Sequence, residues 1–158
     1  IEHGTFLTED TLKLMKKNGT YLVPTRLAAW WVGQKADGYP PAIAAKARAV
    51  GTAHADMFKM ALRVGVKIAF GTDAGVYPHG MNAQEFGLMT DLGMQPAAAL
   101  LSGTRDAAML LGIDRQTGTL EAGKLADIVA VPGNVLENIH ATEHPVFVMK
   151  QGQVYVQK

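Results

Sequence analysis

A short apolar run followed at once by polar residues is the feature that most limits how this chain can fold. Residues 66–70 (VKIAF) lie between Gly65 and Gly71. A run of that length is long enough for a buried strand and too short for an ordinary helix. Asp73 and His79 follow it directly. In folds built from parallel strands and helices, active sites form at the carboxyl ends of strands, so this stretch predicts a strand that carries a site.

Two more strand and helix units precede this stretch. Residues 1–4 (IEHG) have the pattern of the last residues of a strand, and residues 20–23 (TYLV) form a β-branched and aromatic run that stops at Pro24. Between them, Thr8 is suited to cap a helix from Glu9 to Asn18. The alternation predicts an α/β fold in which parallel strands are joined by helices.

The longest predicted helix lies before the strand at residues 66–70. Apolar positions spaced by three and four predict a helix over residues 42–64. His54 falls on its apolar stripe, where a histidine is usually a core residue satisfied by a hydrogen bond. Residues 26–41, which include Trp30 and Trp31 with several glycines and prolines, predict a loop. This loop is either a lid over a site or a surface that packs against a neighbouring subunit, and both interpretations stay open.

After the third strand the pattern gives more helices and then changes. Helices are predicted over residues 82–92, from Pro96, and from a Thr104 cap to Leu111. Glu85 falls in a first helical turn, where a carboxylate either interacts favourably with the helix dipole or contacts a substrate. Residues 117–158 instead predict turns and strands that end in a hairpin. We therefore expect two units, residues 1–116 and 117–158. Because three parallel strands leave open sheet edges, we also expect these units to be part of a larger fold.

Composition limits the function classes. The chain has 158 residues, 48% of them hydrophobic, and a net charge of +1 without charge blocks. These values predict a globular domain with a real core and no surface for nucleic acid or an anionic membrane. The absence of cysteine excludes disulfides and thiolate metal sites. No signal peptide is visible in a chain that begins at Ile1, inside a predicted element, so the compartment stays open.

Three predicted strand ends carry the candidate site residues. His3, Thr25 and Asp73 follow the three predicted parallel strands, and the handedness of their connections places all three ends at one rim of the sheet. Imidazole and carboxylate are ligands of catalytic zinc and similar divalent ions. His3 and Asp73 are therefore metal-ligand candidates, with loop anchors or helix caps as the alternative. His140 and His144, which precede Pro145, are interpreted as surface residues.

Several separated motifs resemble those of the amidohydrolase superfamily. They are IEHG at 1–4, PT at 24–25, GTDAG at 71–75, HG at 79–80, SGTRDAAMLLGI, and GTLEAGKLADIVAV. The chain is most similar to the branch of imidazolonepropionase-like enzymes and Xaa-Pro dipeptidases (prolidases), which includes carboxypeptidase-like members and ochratoxin-degrading amidohydrolases. The resemblance implies an α/β fold that is the C-terminal part, strands six to eight, of a TIM-like (β/α)8 barrel, joined to part of a small β-sandwich.

The resemblance also implies roles for three residues. His3 matches a metal-binding histidine, Asp73 matches an aspartate that contacts a metal and handles the proton of the attacking hydroxide, and His79 matches a histidine that binds or polarises the substrate. The cofactor implied is zinc or another divalent metal, as one or two ions. The family's HxH pair, strand-four lysine or glutamate and strand-five histidine have no counterpart here, so the ligand set within this chain is incomplete.

The function implied is hydrolysis of the amide or peptide bond of a dipeptide or N-acyl amino acid by a metal-activated water. Two alternatives stay open. One is a cyclic-amide or lactone hydrolase on the same fold, and the other is an inactive fragment that only associates with the missing half of the barrel. The expected partners are a small amide substrate, the N-terminal part of the barrel and, from the likeness to the family, further copies of the chain.

Overall fold

Three parallel chain segments carry the candidate site. In the computed structural model, which describes all residues 1–158, β1 (Tyr21–Leu22) pairs in parallel with β2 (Lys67–Ile68). Glu2 forms a parallel bridge with Val23, so the first segment lies on the other side of β1. This arrangement confirms the predicted parallel pairing and places the carboxyl ends of all three segments at the same rim.

The first helix follows its sequence signals. Helix α1 runs over Glu9–Asn18, Thr8 Oγ1 accepts a hydrogen bond from the Thr11 amide at 3.3 Å, and Gly19 ends the helix with a φ of 67°. The left-handed φ favours glycine at this position. Both predicted ends of the helix are confirmed.

The prediction of a loop after the second strand is wrong. Residues Arg26–Gln34 form helix α2, and Ala36–Gly38 add a short 3-10 helix. Leu27 and Ala28 are buried, and the ring of Trp31 lies 6.4 Å from that of Tyr77. Part of this segment therefore packs within the chain as a helix, where the pattern of tryptophan, glycine and proline had favoured an irregular loop.

Helix α3 covers Pro41–Val64 and lies over the parallel strands together with α1. Its buried residues are Ala44, Ala47, His54, Met57, Phe58 and Ala61. The predicted helix is confirmed, although Ile43, one of its apolar residues, is 54% exposed. The main core contains Leu12 of α1, Leu22 of β1, Phe58 of α3 and Ile68 of β2.

No helix of the chain has both the length and the apolar character needed to cross a membrane.

Three shorter helices follow the third segment. They are α4 (Gln84–Asp91), α5 (Pro96–Ser102) and α6 (Arg105–Leu111). Thr104 occupies the predicted N-cap position of α6, but its hydroxyl makes no capping bond to that helix and instead donates to the Leu100 carbonyl of α5 at 2.9 Å. Such a bond to the carbonyl four residues earlier competes with capping.

The tail of the chain forms an antiparallel sheet, as the predicted hairpin requires. Strand β3 (Ile128–Ala130) pairs with β4 (Phe147–Lys150), and β4 pairs with β5 (Gln153–Gln157). A 3-10 helix over Ile139–Glu143 lies against α4. A Cβ at Gly87 of α4 would lie 2.6 Å from His140 Cε1, so glycine permits this close contact between the tail and the helical part. Assignment of the sheet to a β-sandwich remains a prediction.

Candidate functional site at the carboxyl ends of the parallel strands

Each of the three parallel segments ends in a residue with a left-handed backbone. The φ angles are 60° at His3, 49° at Thr25 and 52° at Asp73. Only one other non-glycine residue, Gln151 in the hairpin turn, has a positive φ. Non-glycine residues rarely adopt this conformation, and it is most costly for β-branched residues such as threonine. Backbone strain of about 1–3 kcal/mol per residue, common at active sites, is thus concentrated at the rim that bears the predicted site residues.

The hydrogen bonds of Thr25 fix which nitrogen of His3 carries the proton. Thr25 Oγ1 donates its one proton to the Pro24 carbonyl at 2.7 Å. The same oxygen lies 2.6 Å from His3 Nδ1, so Nδ1 must be the donor in that bond. Nε2 of the neutral imidazole therefore keeps its lone pair. Metal-binding histidines are usually oriented in this way by a second residue.

Glu85 holds the start of α2 from another helix. Its two carboxylate oxygens accept hydrogen bonds from the backbone amides of Arg26 at 2.7 Å and Leu27 at 2.6 Å. The N-cap residue Thr25 makes no side-chain bond to the helix. Because Glu85 satisfies these amides, the Thr25 hydroxyl is free to bond His3 and Pro24. Glu85 is fully buried, and burial raises its pKa to about 7.

His54 also forms a hydrogen bond with the strand end that carries Thr25. Its Nε2 donates to the Pro24 carbonyl at 2.7 Å, and the side chain is 1% exposed. Burial, followed by the charge of Arg26, lowers the pKa of His54 to about 4, so the ring is neutral at pH 7. The prediction of a hydrogen-bonded core histidine is confirmed. Its Nδ1 is buried without a partner.

Asp73 and His79 lie in the exposed segment after β2. Asp73 is exposed, its carbonyl accepts from the Val76 amide, and His79 is exposed beside Gly80. The chain contains no group of three or more His, Cys, Asp or Glu side chains placed to hold a metal ion. His3 and Asp73 have donor atoms of the right chemistry, yet zinc sites in proteins use three or four protein ligands. The residues present therefore do not fit a complete metal site.

The other histidine pair does not form a site. His140 and His144 are exposed, and His140 Nδ1 lies 2.7 Å from a carboxylate oxygen of Glu143. The interpretation of both as surface residues is confirmed.

Sequence reasoning missed most of the buried polar side chains behind the rim. Arg26 and Tyr77 were not singled out for a site, and Glu85 was considered only as a first-turn carboxylate or a substrate contact. All three are buried. The available signal for Arg26 was its position directly after a strand end.

Parallel strands that end in strained polar residues at one rim are typical of α/β proteins with a site at the carboxyl ends of the strands. The profile of the amidohydrolase family matches residues 1–156. The chain therefore belongs to the amidohydrolase family.

Individual relatives agree with this assignment. Ochratoxinase of Aspergillus niger is 30% identical over 161 residues, which cover 98% of this chain and 33% of that protein. Imidazolonepropionase of Acinetobacter baumannii is 30% identical over 82% of this chain and 28% of its own length. The crystal structure of a Xaa-Pro dipeptidase with methionine bound in its active site is 45% identical, with a TM-score of 0.94, over 99% of this chain and 39% of that protein. The chain thus spans about a third of the curated relatives.

Proposed function

We propose that this chain is the carboxyl-terminal part of a metal-dependent amidohydrolase. Residues 1–116 supply strands six to eight of a (β/α)8 barrel, and residues 117–158 supply strands of a small β-sandwich. The observation that carries the proposal is the convergence of His3, Thr25 and Asp73, all strained, at the ends of three adjacent parallel segments. The likeness to the Xaa-Pro dipeptidase structure along nearly the whole chain supports it.

The proposed reaction is hydrolysis of an amide bond by water. A divalent ion, zinc in our proposal, supplies polarisation of the amide carbonyl and a lowered pKa of the attacking water. Within this chain, His3 presents Nε2 and Asp73 presents its carboxylate as two of the ligands. Asp73 also accepts a proton and returns one to the leaving amine. His79 donates a hydrogen bond to the carbonyl oxygen, and the N-terminal part of the barrel supplies the remaining ligands.

The proposed substrate is a dipeptide or an N-acyl amino acid. Support comes from the relatives, which include a Xaa-Pro dipeptidase that holds a free amino acid, methionine, in its active site. Ochratoxinase, at 30% identity, is a second member of the same family. An amino acid is one product of cleaving either kind of substrate, so a site of this type suits both.

The decisive experiment replaces Asp73 by Asn in the full-length protein. We expect hydrolysis of dipeptides to fall by at least about 100-fold, the usual contribution of a positioned proton-transfer group, and bound zinc to decrease. The matched control is Asp114→Asn, because Asp114 is exposed in the turn after α6. A near-normal rate in the Asp73→Asn protein would contradict the proposal.

A second candidate is hydrolysis of a cyclic amide or lactone, which the similarity to imidazolonepropionase favours. A panel of dipeptides, N-acyl amino acids, cyclic amides and lactones separates the two candidates by which compounds are turned over. Association with the N-terminal part of the barrel is tested by adding that part to the present chain and measuring metal content and turnover. Assembly of identical copies remains a prediction, for which light scattering is the measurement.

A further inference from the structure

Helix α2 is capped by a residue of another helix. Thr25 occupies the N-cap position of α2, but its hydroxyl makes no bond to an amide of that helix. A threonine at an N-cap usually accepts a hydrogen bond from the amide two or three residues further on. The amide two residues further on is that of Leu27, and it donates instead to a carboxylate oxygen of Glu85 at 2.6 Å. Glu85 thus takes the place that the Thr25 side chain would ordinarily fill.

Both oxygens of Glu85 are used at this helix start. The second oxygen accepts from the Arg26 amide at 2.7 Å, and the side chain is fully buried in α4. Burying a carboxylate is costly unless its oxygens are hydrogen-bonded. The two amides of α2 therefore offset part of the cost of burying Glu85, and Glu85 satisfies two amides that the helix itself leaves without acceptors.

The Thr25 hydroxyl is bonded on the other side of the strand end. It donates to the Pro24 carbonyl at 2.7 Å and lies 2.6 Å from His3 Nδ1. The Pro24 carbonyl also accepts from the buried His54 at 2.7 Å. These bonds hold the hydroxyl so that its oxygen accepts the Nδ1 proton of His3.

The backbone of Thr25 differs from that of an ordinary N-cap. N-cap residues typically lie in the β region, whereas Thr25 has a φ of 49° and a ψ of 46°. A left-handed backbone is costly for a β-branched residue. Relaxation of Thr25 to the usual conformation would turn its hydroxyl to the Leu27 amide and away from His3. The helix start and the imidazole therefore compete for one hydroxyl.

We propose that Glu85 is a positioning residue, which keeps the Thr25 hydroxyl on His3 by holding the amides that this hydroxyl would otherwise cap. The inference rests on the proposed function, because it gives Glu85 an effect on the reaction through His3. The hydrogen bonds of Glu85 reach the start of α2, and the effect passes from there through Thr25. Without Glu85, the His3 ring loses the acceptor that fixes its orientation and tautomer.

The first test follows the Nδ1 proton of His3 in the full-length protein, by NMR of labelled histidine at pH 8, above the pKa of about 7 of Glu85. Glu85→Gln keeps the size of the side chain, but only one of its two polar atoms can accept a hydrogen bond. We expect the proton to exchange with water about tenfold faster in this variant, the effect of losing about one hydrogen bond. Asp91→Asn, an exposed residue at the other end of α4, is the control and should leave the exchange unchanged.

A double-mutant comparison separates positioning from general destabilisation. We expect kcat for dipeptide hydrolysis to fall by about 10–100-fold in Glu85→Gln, as for other residues that orient a metal-binding histidine. In a Thr25→Val protein no hydroxyl remains to be misplaced. Adding Glu85→Gln to that protein should therefore lower kcat by less than about twofold more, because residues that act through one another are not additive.

Two results would overturn the inference. Unchanged exchange of the His3 proton in Glu85→Gln would mean that Thr25 keeps its position without Glu85. Full additivity of the losses from Glu85→Gln and Thr25→Val would mean that Glu85 affects the rate by another route. If Glu85→Gln does not fold, as judged by circular dichroism, Glu85→Asp carries both comparisons, because its carboxylate is retained on a shorter side chain.

The exchange measurement does not depend on the proposed reaction. If the full-length protein hydrolyses no amide but the His3 proton still exchanges faster in Glu85→Gln, the proposed function fails and the positioning role stands. If the protein hydrolyses amides and the exchange is the same in the wild type and in Glu85→Gln, the positioning role alone fails.

Discussion

The His3 imidazole and the Thr25 hydroxyl lie 2.6 Å apart, and Pro24 decides the direction of the bond between them. The Thr25 proton goes to the Pro24 carbonyl, so His3 must donate from Nδ1. The Pro24 carbonyl also accepts from His54. One strand end therefore sets both the orientation and the tautomer of a residue on the neighbouring segment.

Replacing Thr25 by Val tests this relationship. Valine keeps the β-branched shape and removes the hydroxyl, so the His3 ring loses the acceptor that fixes its tautomer. We expect zinc affinity of the full-length protein, measured by chelator competition, to fall by about 10–100-fold, as for other partners of metal-binding histidines. Thr25→Ser retains the hydroxyl and should stay within about threefold of the wild type on that scale. Equal affinities for the Val and Ser variants would contradict an orienting role.

Gly71 is predicted to be sensitive because of a close approach between strands. A Cβ at this position would overlap Val23 Cγ1 on the neighbouring segment. Gly71→Ala must displace Val23, which immediately precedes Pro24 and Thr25, at a cost of about 1–3 kcal/mol in the free energy of unfolding. The control is Gly33→Ala in α2, where no atom lies within 4 Å of the added Cβ. That change should stabilise the protein by about 0.5–1 kcal/mol, measured by urea unfolding of both variants.

The sequence predicted the bounds of an element correctly where residues at the ends of that element determine them. Helix α1 has its Thr8 cap and its Gly19 exit within the sequence that forms it, and both ends are as predicted. Helix α2 was missed because its start is held by Glu85, 59 residues from Arg26 in sequence. No pattern within residues 26–41 shows that contact.

The same distinction applies to the candidate site. His3 and Asp73 were found because strand ends can be predicted from short apolar runs, although their metal roles remain proposals. The hydrogen bond between His3 and Thr25, by contrast, depends on which hydroxyl faces which ring. The lack of hydrogen-bond partners for Nε and Nη1 of Arg26 likewise depends on how the guanidinium is buried. Neither arrangement leaves a pattern in the sequence.

Glu85 should make the stability of the protein fall as the pH rises. Burial raises its pKa from 4.5 to about 7, so the folded state holds a proton that the unfolded state releases between these pH values. The wild-type protein should therefore lose about 3 kcal/mol relative to Glu85→Gln between pH 4.5 and pH 7. Urea unfolding of both proteins across this range measures the difference. The exposed Glu137→Gln variant is the control, and a constant difference between wild type and Glu85→Gln would contradict the prediction.

His54 should have the opposite effect in an overlapping pH range. Its pKa is lowered from 6.5 to about 4, first by burial and then by the charge of Arg26, so the unfolded state binds a proton that the folded state refuses. Relative to His54→Gln, which keeps a donor for the Pro24 carbonyl, the wild-type protein should gain about 3 kcal/mol as the pH rises from 4 to 6.5. Between pH 4.5 and 6.5 the effects of Glu85 and His54 oppose each other. Glu85→Gln should therefore show a rising stability there, and His54→Gln a falling one. Parallel pH profiles for the two single variants would contradict the prediction that burial disfavours the charged form of both Glu85 and His54.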